Sequence, residues 1–599
     1  MNFKSMSRGS SKFFRMFLVL IFLGICTTLT YAQHLSQKIR LNQIGYYPGG
    51  PKIAVLDTNV SGPFYITSPD LRDTLFHGKL SSPHHVSYSP EITRFANFSN
   101  FKRNGIYVVN VPGIGYSYEF RIAYSVEHNL AKGALKAYYY IRASTPLPVK
   151  YAGKWARDEG HPDTVVYIHP SAAGPHRPAG TVISTPKGWY DAGDYNKYVV
   201  NSGITMGTLF SAYEDFPAYF DTLRIKIPED GDQVPDILNQ ALWNLRWMLS
   251  MQDPNDGGVY HKTTTAHFEP FIMPDQAHDK RYVVQKSTAA TLDFAAVMAQ
   301  ASRILKKYQK ELPGLSDSCL TAAKKAWIWA QKHPDDSYNQ RKMNRKFNPK
   351  ITTGAYGDSH LKDEFIWAAC ELFVTTGNTH YINKVKIMPD DRMPLPGWGR
   401  VRLLGYYTLL RGRNTLGPAV QKYLPVLKKR LIKFADQLMK GAQQDLFGTV
   451  MGKNVHDFVW GSNSVDGNQG IALIQAYLLT SNKKYLNATV ANLDYLLGRN
   501  GTGYSFITGY GSKSPMHPHH RISASDGIRL PIPGLLVGGA NPGQQDGCGN
   551  YPSKIPDQSY VDNDCDYAAN EIAINWNAPL VYVTNAIEAL QYRSGYSRK

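Results

Sequence analysis

The first part of the chain alternates apolar and polar residues in short runs, which is the pattern of β-strands. Gly, Pro and Asn turns separate these runs at regular spacing. The clearest runs are Lys52–Leu56, Phe64–Thr67, Ile106–Val111 and Tyr118–Tyr124. Short strands at this spacing are typical of a small antiparallel sandwich. The pattern therefore predicts an all-β domain over residues 36–124.

From residue 126 onward, apolar residues recur three or four positions apart, which is the spacing of α-helices. The segments with this spacing are Glu127–Ser144, Gly203–Tyr213, Val234–Gln252, Ser287–Tyr308, Ser316–His333, Lys362–Thr376, Ala419–Gln443, Gly467–Thr480, Lys484–Gly498 and Ala578–Tyr592. Their long connecting loops do not fit a simple bundle, whose connections are short. We expect a toroid of paired helices over residues 126–595, with functional loops at one end. An extended α-solenoid is the alternative, although no fixed-period repeat supports it.

The first 32 residues have the pattern of a secretory signal peptide. Basic residues precede the apolar stretch Met16–Leu29, and Ala32 ends a small-residue cleavage site. The stretch is too short for a membrane-spanning helix, and no later segment is long and apolar enough. We therefore expect a secreted or periplasmic protein without a membrane span. A lipoprotein attached through Cys26 is disfavoured by the bulky Ile25 before it.

The chain of 599 residues carries a formal net charge of +19, which is compatible with an anionic partner. Its cations are scattered through segments such as Gln340–Lys346 and Leu427–Lys433 and form no long basic run. A nucleic-acid partner is therefore not expected. The excess charge is compatible with solubility or with attraction to an anionic cell surface or matrix.

Four cysteines remain after removal of the signal segment, and an exported chain permits disulfides. Cys548 and Cys565 flank a loop rich in Gly and Pro, and we predict a bond between them. Cys319 and Cys370 fall in helical patterns, so we expect buried free thiols there. No C-x-x-C spacing indicates a zinc knuckle.

Two acidic segments contain the candidate catalytic residues of the chain. In the first, Gly188–Tyr198, the residue Gly193 lets the backbone bend so that Asp191 and Asp194 can face one point. There the two carboxylates could hold and deprotonate a water molecule. A turn or a helix cap is the alternative role for both aspartates.

The second acidic segment, Tyr560–Pro579, contains alternating acids and then Glu571. The run Asp562, Asp564 and Asp566 is not an EF-hand, because the Gly and Glu that such a loop needs are absent. A solvated acidic loop is the expected setting of Asp564 and Asp566. Glu571 has apolar neighbours, which would raise its pKa and keep it protonated near neutral pH. A protonated carboxyl is what a departing sugar oxygen requires, although an ordinary helix-start Glu is the alternative.

The segment His517–Arg521 contains three His residues and one Arg. Adjacent His side chains point apart, so zinc ligation is not expected. Imidazole and guanidinium groups donate hydrogen bonds to sugar hydroxyls, which makes His519 and Arg521 candidate substrate contacts; a basic surface turn is the alternative. Among the 12% of aromatic residues, most are expected to fill the core. Tyr195, Trp460 and Tyr567 are candidate substrate-binding aromatics.

Together these segments resemble glycoside hydrolase family 9, a cellulase family with an inverting mechanism. The family's His signature matches Ser505–Thr508, Gly511, Lys513 and Pro518–Arg521. The family's acidic signature matches Tyr560, Asp562, Tyr567, Glu571, Ala573, Asn577 and Ala578. The resemblance covers residues 126–592. The segments Leu41–Leu56 and Phe95–Gly113 are similar to the immunoglobulin-like domain that precedes some of these catalytic domains.

The resemblance implies an (α/α)6 barrel preceded by a small immunoglobulin-like sandwich. It implies that Asp194 is the general base, that Asp191 helps to hold the water and that Glu571 is the general acid. It further implies that His519 and Arg521 contact the sugar next to the scissile bond. Asp562 is a signature position without an assigned role.

The resemblance has departures that bear on metals. The cysteines that hold a structural zinc in many relatives are absent here, so no such zinc is expected. Asn239 and Gln240 stand where relatives often carry acids, so calcium is without support. We expect no cofactor.

The sequence thus predicts an exported, monomeric endo-β-1,4-glucanase that acts on cellulose-like or mixed β-glucans. Alternatives within the family are an exo-acting cellobiosidase, glucosidase or glucosaminidase, and a xyloglucanase. Alternatives of other classes are a non-catalytic glycan-binding protein and a polysaccharide lyase. Because both the acid and the base positions carry carboxyl groups, a purely binding role is disfavoured.

Overall fold

The computed structural model describes residues 34–598, so the predicted signal peptide lies outside the described residues. The strands in this range are β1 (Ile39–Arg40), β2 (Gly45–Tyr46), β3 (Ile53–Asp57), β4 (Pro63–Thr67), β5 (Thr74–Lys79), β6 (Thr93–Asn97), β7 (Gly105–Val111), β8 (Gly115–Tyr116), β9 (Phe120–Ile122), β10 (Val166–Ile168), β11 (Val182–Ile183), β12 (Lys197–Tyr198), β13 (Lys262–Thr264) and β14 (Arg281–Val283).

Strands β1 to β9 form a two-sheet sandwich, as the alternating pattern predicts. One sheet has the order β1-β3-β6, and the other has the order β2-β9-β7-β4-β5 with β8 paired to β7. The alternation in β7 places Tyr107, Val109 and Val111 in the core between the sheets, while Ile106 is exposed. The runs named above correspond to β3, β4, β7 and β9; the strands β1, β2, β5, β6 and β8 had no predicted counterpart.

Eleven helices of ten residues or more lie in the described part of the chain. They are α1 (His128–Tyr140), α2 (Val199–Asp215), α3 (Asp236–Ser250), α4 (Thr288–Leu305), α5 (Leu315–Lys332), α6 (Lys362–Thr376), α7 (Arg402–Arg411), α8 (Leu424–Met439), α9 (Ser462–Thr480), α10 (Lys483–Leu496) and α11 (Ile574–Leu590). Short helices are Val149–Ala152, Pro217–Phe220, Gln340–Lys346, His380–Asn383, Pro418–Gln421 and Arg521–Ser525. The local signals are ordinary ones: the Ser287 side chain accepts the Ala290 N–H at the start of α4, and Gly377 ends α6 in the left-handed conformation.

The helices form an inner set and an outer set. Almost every side chain of α2, α4 and α11 is buried, whereas α8 buries only one stripe, Leu424, Leu427, Leu431 and Ala435. Helix α2 packs against both α4 and α11, α6 against α4 and α7, and α9 against α11. Helices α1, α3, α5 and α10 each pack against an inner neighbour.

One buried polar network ties the six inner helices together. Arg303 of α4 bridges Glu214 of α2 and Glu371 of α6, with N–O distances of 2.6 Å to both. Arg411 of α7 pairs with Asp215 of α2 at 2.8 Å. Asp215 also accepts hydrogen bonds from Gln475 of α9 and Tyr582 of α11. Buried charges of this kind must be paired, so the network fixes these helices around a common axis.

The structure differs from the helix prediction at two places. Helix α7 was missed, because ten residues with the sequence RLLGYYTLLR are apolar on nearly every side and show no clear helical period. The predicted segment Ala419–Gln443 is divided, since α8 begins only at Leu424. In addition, β10 to β14 form a five-stranded sheet. It was not predicted, because its strands are only two or three residues long.

The sandwich packs directly against the helical part. Asn42 donates to the Asp494 carboxylate at 2.8 Å, and the Thr93 hydroxyl donates to the Leu446 carbonyl at 2.7 Å. Tyr47 donates to Glu588 of α11. These contacts are buried, so the two parts share one interface rather than a mobile linker.

The cysteine predictions are confirmed. Cys548 and Cys565 form a disulfide with a Cα–Cα distance of 5.5 Å. Cys319 of α5 and Cys370 of α6 are buried free thiols.

Candidate active site

The candidate active site lies in the loops that precede the inner helices. Most of these helices begin shortly after a loop residue with sugar-binding or acid–base character. In chain order these residues are Asp194 before α2, Tyr356 before α6, Trp398 before α7, Trp460 before α9 and Glu571 before α11. Because the inner helices pack side by side, these loops meet at one end of the helical part and form a cleft.

Asp191 and Asp194 are both buried, and both accept hydrogen bonds from neighbouring side chains. Asp191 accepts from the Asn201 side chain at 2.7 Å and from the Tyr356 hydroxyl at 2.8 Å. Burial, together with the negative charge of Asp194, raises the pKa of Asp191 well above its usual value.

Asp194 accepts two side-chain hydrogen bonds on one oxygen. The Asn196 amide donates at 2.5 Å and the Tyr198 hydroxyl at 3.0 Å. Donors of this kind stabilise a negative charge on Asp194, while its other oxygen has no hydrogen bond from the described residues. That arrangement suits a carboxylate that receives a proton from water.

Glu571 meets the aspartate loop directly, although 377 positions separate it from Asp194 in the sequence. Its Oε1 accepts the backbone N–H of Gly193 at 3.2 Å. Burial is the main cause that raises the pKa of Glu571 well above its usual value, and the charges of Asp194 and Asp191 add to it. The two acidic segments therefore meet as predicted, and Glu571 is held in its protonated form to a higher pH.

Gly193 allows this close approach. A Cβ at this position would lie 2.3 Å from the His519 carbonyl oxygen and 3.1 Å from Glu571 Oε1. A side chain here would therefore push His519 and Glu571 away from the aspartate loop.

Replacing Gly193 by Ala is therefore expected to reduce kcat strongly. A misplacement of the order of 1 Å at a reacting group costs about 10²-fold in rate, and we expect a loss of about that size. Steady-state hydrolysis of a soluble β-glucan measures it, with thermal unfolding as the test of folding. Substitution of the exposed, uncrowded Gly174 by Ala is the matched control, because a Cβ there meets nothing within 4 Å. Near-normal turnover of Gly193→Ala would contradict the packing argument.

His519 stands beside the acid in a fixed orientation. Its backbone N–H donates to the Asn570 carbonyl at 2.9 Å, and its Nδ1 lies 2.5 Å from the Asp564 carbonyl oxygen. A carbonyl only accepts, so Nδ1 carries the hydrogen in this pair. Burial lowers the pKa of His519, which favours the neutral ring with Nε2 as an acceptor. This geometry supports the predicted substrate contact.

Arg521 holds the aspartate loop from behind. Its Nη1 donates to the Gly193 carbonyl at 2.8 Å and its Nε donates to the Glu269 carbonyl at 2.7 Å. The side chain is only 7% exposed. The predicted sugar contact of Arg521 stays a prediction, and the contacts seen here are those of a positioning residue.

The acidic run before Glu571 divides into three different environments. Asp562 accepts the backbone N–H groups of Met516 and His517, both at 2.8 Å, and so fixes the His loop. Asp564 is exposed, as predicted. The prediction of a solvated loop is wrong for Asp566, which is fully buried and accepts the Tyr551 hydroxyl at 2.5 Å and the Ala569 N–H at 2.7 Å.

Aromatic side chains form two groups near the acids. In the first, Trp460, 44% exposed, lies 5.6 Å from Tyr567, whose ring is 5.7 Å from His519. In the second, Trp398, 37% exposed, lies 5.5 Å from Tyr356, whose hydroxyl donates to Asp191. Exposed aromatic rings provide the flat faces on which pyranose rings stack.

Tyr195 is placed differently from the other candidate aromatics. Its ring is 1% exposed and its hydroxyl donates to the Ile272 carbonyl at 2.6 Å. These contacts are typical of a core residue. A buried ring offers no face on which a sugar could stack. The predicted substrate contact is not supported by this position.

Sequence reasoning missed Trp398, Tyr356 and Phe271. Phe271 is 41% exposed and its ring lies 5.3 Å from His519. Each of these residues lies in a long loop with no periodic pattern, so only exposure of an aromatic ring beside the acids distinguishes it from ordinary loop packing.

No metal site or membrane-spanning helix is found in the described range. Among residues 34–598 no three His, Cys, Asp or Glu side chains are grouped in a way that could hold a metal ion. Within the same range no helix has both the length and the apolar character needed to cross a bilayer.

The acid–base chemistry of the cleft is that of a glycoside hydrolase, in which one carboxyl protonates the departing sugar oxygen and another activates water. Comparison with known families agrees with this class. The sequence model of the family described as glycosyl hydrolase family 9 matches residues 128–584, which is more than half of the chain. The sequence model of the cellulase N-terminal ig-like domain matches residues 34–116. The chain therefore belongs to glycosyl hydrolase family 9.

Similar proteins match along nearly the full length. A xyloglucan-specific endo-beta-1,4-glucanase, BoGH9A, from Bacteroides ovatus is 47% identical, over 97% of this chain and 98% of its own length. Endoglucanase D of Acetivibrio thermocellus is 33% identical, over 92% of this chain and 84% of its own length. The solved structure of a Bacteroides ovatus GH9 protein matches with a TM-score of 0.88 and 46% identity, over 92% of this chain and 99% of that one.

Proposed function

We propose that this protein is an inverting endo-β-1,4-glucanase with an (α/α)6-barrel catalytic domain. The observation that carries the proposal is the hydrogen bond from Gly193, next to the proposed base Asp194, to the partly buried acid Glu571. The ring of inner helices tied to Asp215 and Glu214, with outer helices packed on it, supports the barrel. The proposed catalytic residues are Asp194, Asp191 and Glu571.

The proposed reaction uses each carboxyl group in one role. Glu571, kept protonated by burial, donates its proton to the oxygen of the scissile bond as that bond breaks. Asp194 takes a proton from a water molecule, which attacks the sugar from the opposite face while Asp191 holds it. A single displacement by water inverts the anomeric carbon, so a β-linked glucan yields an α-product.

The aromatic rings of the cleft and the similar proteins support endo action. Exposed rings lie in two groups near the acids, Trp460 with Tyr567 and Trp398 with Tyr356, so the cleft offers more than one place for a sugar ring to stack. Two of the similar proteins, BoGH9A and endoglucanase D, are endoglucanases. The proposed substrate is a soluble β-1,4-glucan, and similarity to the xyloglucan-specific enzyme makes xyloglucan the first substrate to test. His519, Tyr567 and Trp460 are the proposed substrate contacts, and Asp562 fixes the loop that carries His519.

Product analysis on a panel of soluble β-glucans is the test of this proposal. We expect a large fall in viscosity relative to the number of reducing ends released. We also expect α-anomers as the first products, which NMR detects before mutarotation. Initial release of β-anomers would refute inversion. A release of short products with little loss of viscosity would favour the exo-acting alternatives.

The remaining proposals concern location and assembly. The basic head and apolar stretch within residues 1–32 support export to the periplasm or the medium. The disulfide is consistent with that destination. We further propose a monomer with a sandwich domain at 36–124 and a catalytic domain at 126–595; size-exclusion chromatography with light scattering tests the monomer.

A further inference from the structure

A long groove lies outside the ring of inner helices, on the side of α8. It is bounded by α8, by residues 359–363 at the start of α6, and by residues 389–394 and 399–402 at and before the start of α7. Its volume is about 1660 Å³. Pockets that enclose a small ligand have volumes of about 300–1,000 Å³. The groove therefore has room for several sugar units.

The groove lies next to the loop that carries Trp398. Its lining includes Gly399 and Arg400, which directly follow Trp398 in the chain. The Trp398 ring contacts Tyr356, whose hydroxyl donates to Asp191 at 2.8 Å. The next sugars of a polymer that lies across the aspartates and over Trp398 would therefore come close to the groove.

The groove has an excess of positive charge. Seven Lys or Arg side chains line it, against four Asp. Three of the arginines are paired: Arg392 and Arg402 lie 2.9 and 3.1 Å from Asp390, and Arg430 pairs with Asp391. The remaining cations have no carboxylate within ion-pair distance among residues 34–598; they are Lys362, Arg400, Lys429 and Lys433.

Helix α8 presents these charges together with apolar surface. Lys429 and Lys433 are four residues apart and so lie on one face of the helix. Val426, 38% exposed, and the partly buried Phe434 lie on the same side. A face with apolar patches between cations fits a sugar chain that carries carboxylates, because C–H faces pack on the apolar atoms and carboxylates pair with ammonium groups.

We propose that this groove is a distal part of the substrate cleft that binds carboxylate-bearing sugars of an acidic β-glucan chain or branch. The proposal rests on the proposed glucanase activity and adds the charge of the preferred substrate. The groove lies beyond Trp398, away from the acids. Its cations therefore act on substrate association rather than on bond cleavage, and they affect KM and not kcat.

The test compares an acidic polymer and a neutral polymer of equal chain length, carboxymethyl and hydroxyethyl β-1,4-glucan. The double variant Lys429→Gln/Lys433→Gln is expected to raise KM about two- to tenfold on the carboxymethyl polymer at low salt, because two exposed charge interactions are lost. Its KM on the neutral polymer and its kcat on both are expected to remain unchanged. In about 1 M salt, where the Debye length is about 3 Å, the difference between wild type and variant should disappear.

Two controls separate a local effect from net charge and from loss of activity. Lys422→Gln/Lys428→Gln removes the same charge from exposed positions that do not line the groove, and it should behave as wild type. Affinity electrophoresis in gels containing each polymer measures binding without turnover. Equal retardation of wild type and Lys429→Gln/Lys433→Gln by the carboxymethyl polymer would overturn the groove proposal. A wild-type enzyme that binds these polymers but cleaves neither of them, and does not cleave xyloglucan, would overturn the proposed function instead.

Discussion

Replacing Glu571 by Gln is expected to lower kcat on an unactivated β-1,4-glucan by about 10²–10⁴-fold, the usual contribution of a general acid. Gln has nearly the same shape and can still accept the Gly193 N–H, so the loop geometry is retained. It has no carboxyl proton to give to the departing sugar oxygen. Steady-state kinetics on a soluble glucan measure the loss, and an unchanged melting temperature shows that folding is not the cause.

The leaving group provides the matched control for Glu571→Gln. An aryl glycoside with a nitrophenolate leaving group needs little protonation, so the variant should retain much more activity on it than on the glucan. An equal loss on both substrates would show that Glu571 does something other than donate a proton.

The pH profile of the wild-type enzyme depends on the same group. Because the pKa of Glu571 is raised, its active protonated form persists above the usual carboxyl range and is lost as pH rises through the raised value. The rate on glucan should therefore fall on the alkaline side, and this fall should weaken on the activated aryl glycoside. The charges of Asp191 and Asp194 contribute to the shift, so neutralising either one moves the alkaline limb to lower pH.

Much of the fold could be predicted from local patterns. The strands Ile53–Asp57 and Gly105–Val111 are short apolar runs between turn residues, because most of their side chains are buried. Helix α4 has apolar residues at helical spacing, and helix α6 ends at a clear stop signal, Gly377. Helix α7 and the five-stranded sheet lack such signals, because their environment comes from neighbours distant in sequence.

Of the candidate active site, only the acidic residues and the His loop could be predicted from the sequence. Asp194 and Glu571 could be named because their residue types and neighbours suggest the chemistry, and the family resemblance supplied their roles. The contact between Gly193 and Glu571 could not be predicted, since it depends on how two distant loops pack. Burial decides the rest: Tyr195 resembles a cleft aromatic in sequence but lies in the core, and Trp398 shows no sequence signal but lies exposed in the cleft.

Replacing Asp194 by Asn is expected to cost about 10²–10⁴-fold in kcat, since an amide cannot take a proton from the attacking water. The Asn side-chain oxygen can still accept the Tyr198 hydroxyl, so the loop should keep its shape. Azide, a small anion that attacks without deprotonation, should restore turnover of an activated glycoside and give a glycosyl azide of inverted configuration. The same addition should not rescue Glu571→Gln on glucan, because protonation of the leaving oxygen is what that variant lacks.

Asp191→Asn distinguishes the roles of the two aspartates. Asp191 accepts two hydrogen bonds from Asn201 and Tyr356, and its pKa is raised, so it is the poorer candidate for the ionised base. We expect its replacement to cost less than that of Asp194 and to show little rescue by azide. If azide instead restored Asp191→Asn and left Asp194→Asn inactive, the base would be Asp191. The hydrogen bonds to Asp194 would then serve only to hold the loop, and the water would have to approach from the side of Tyr356.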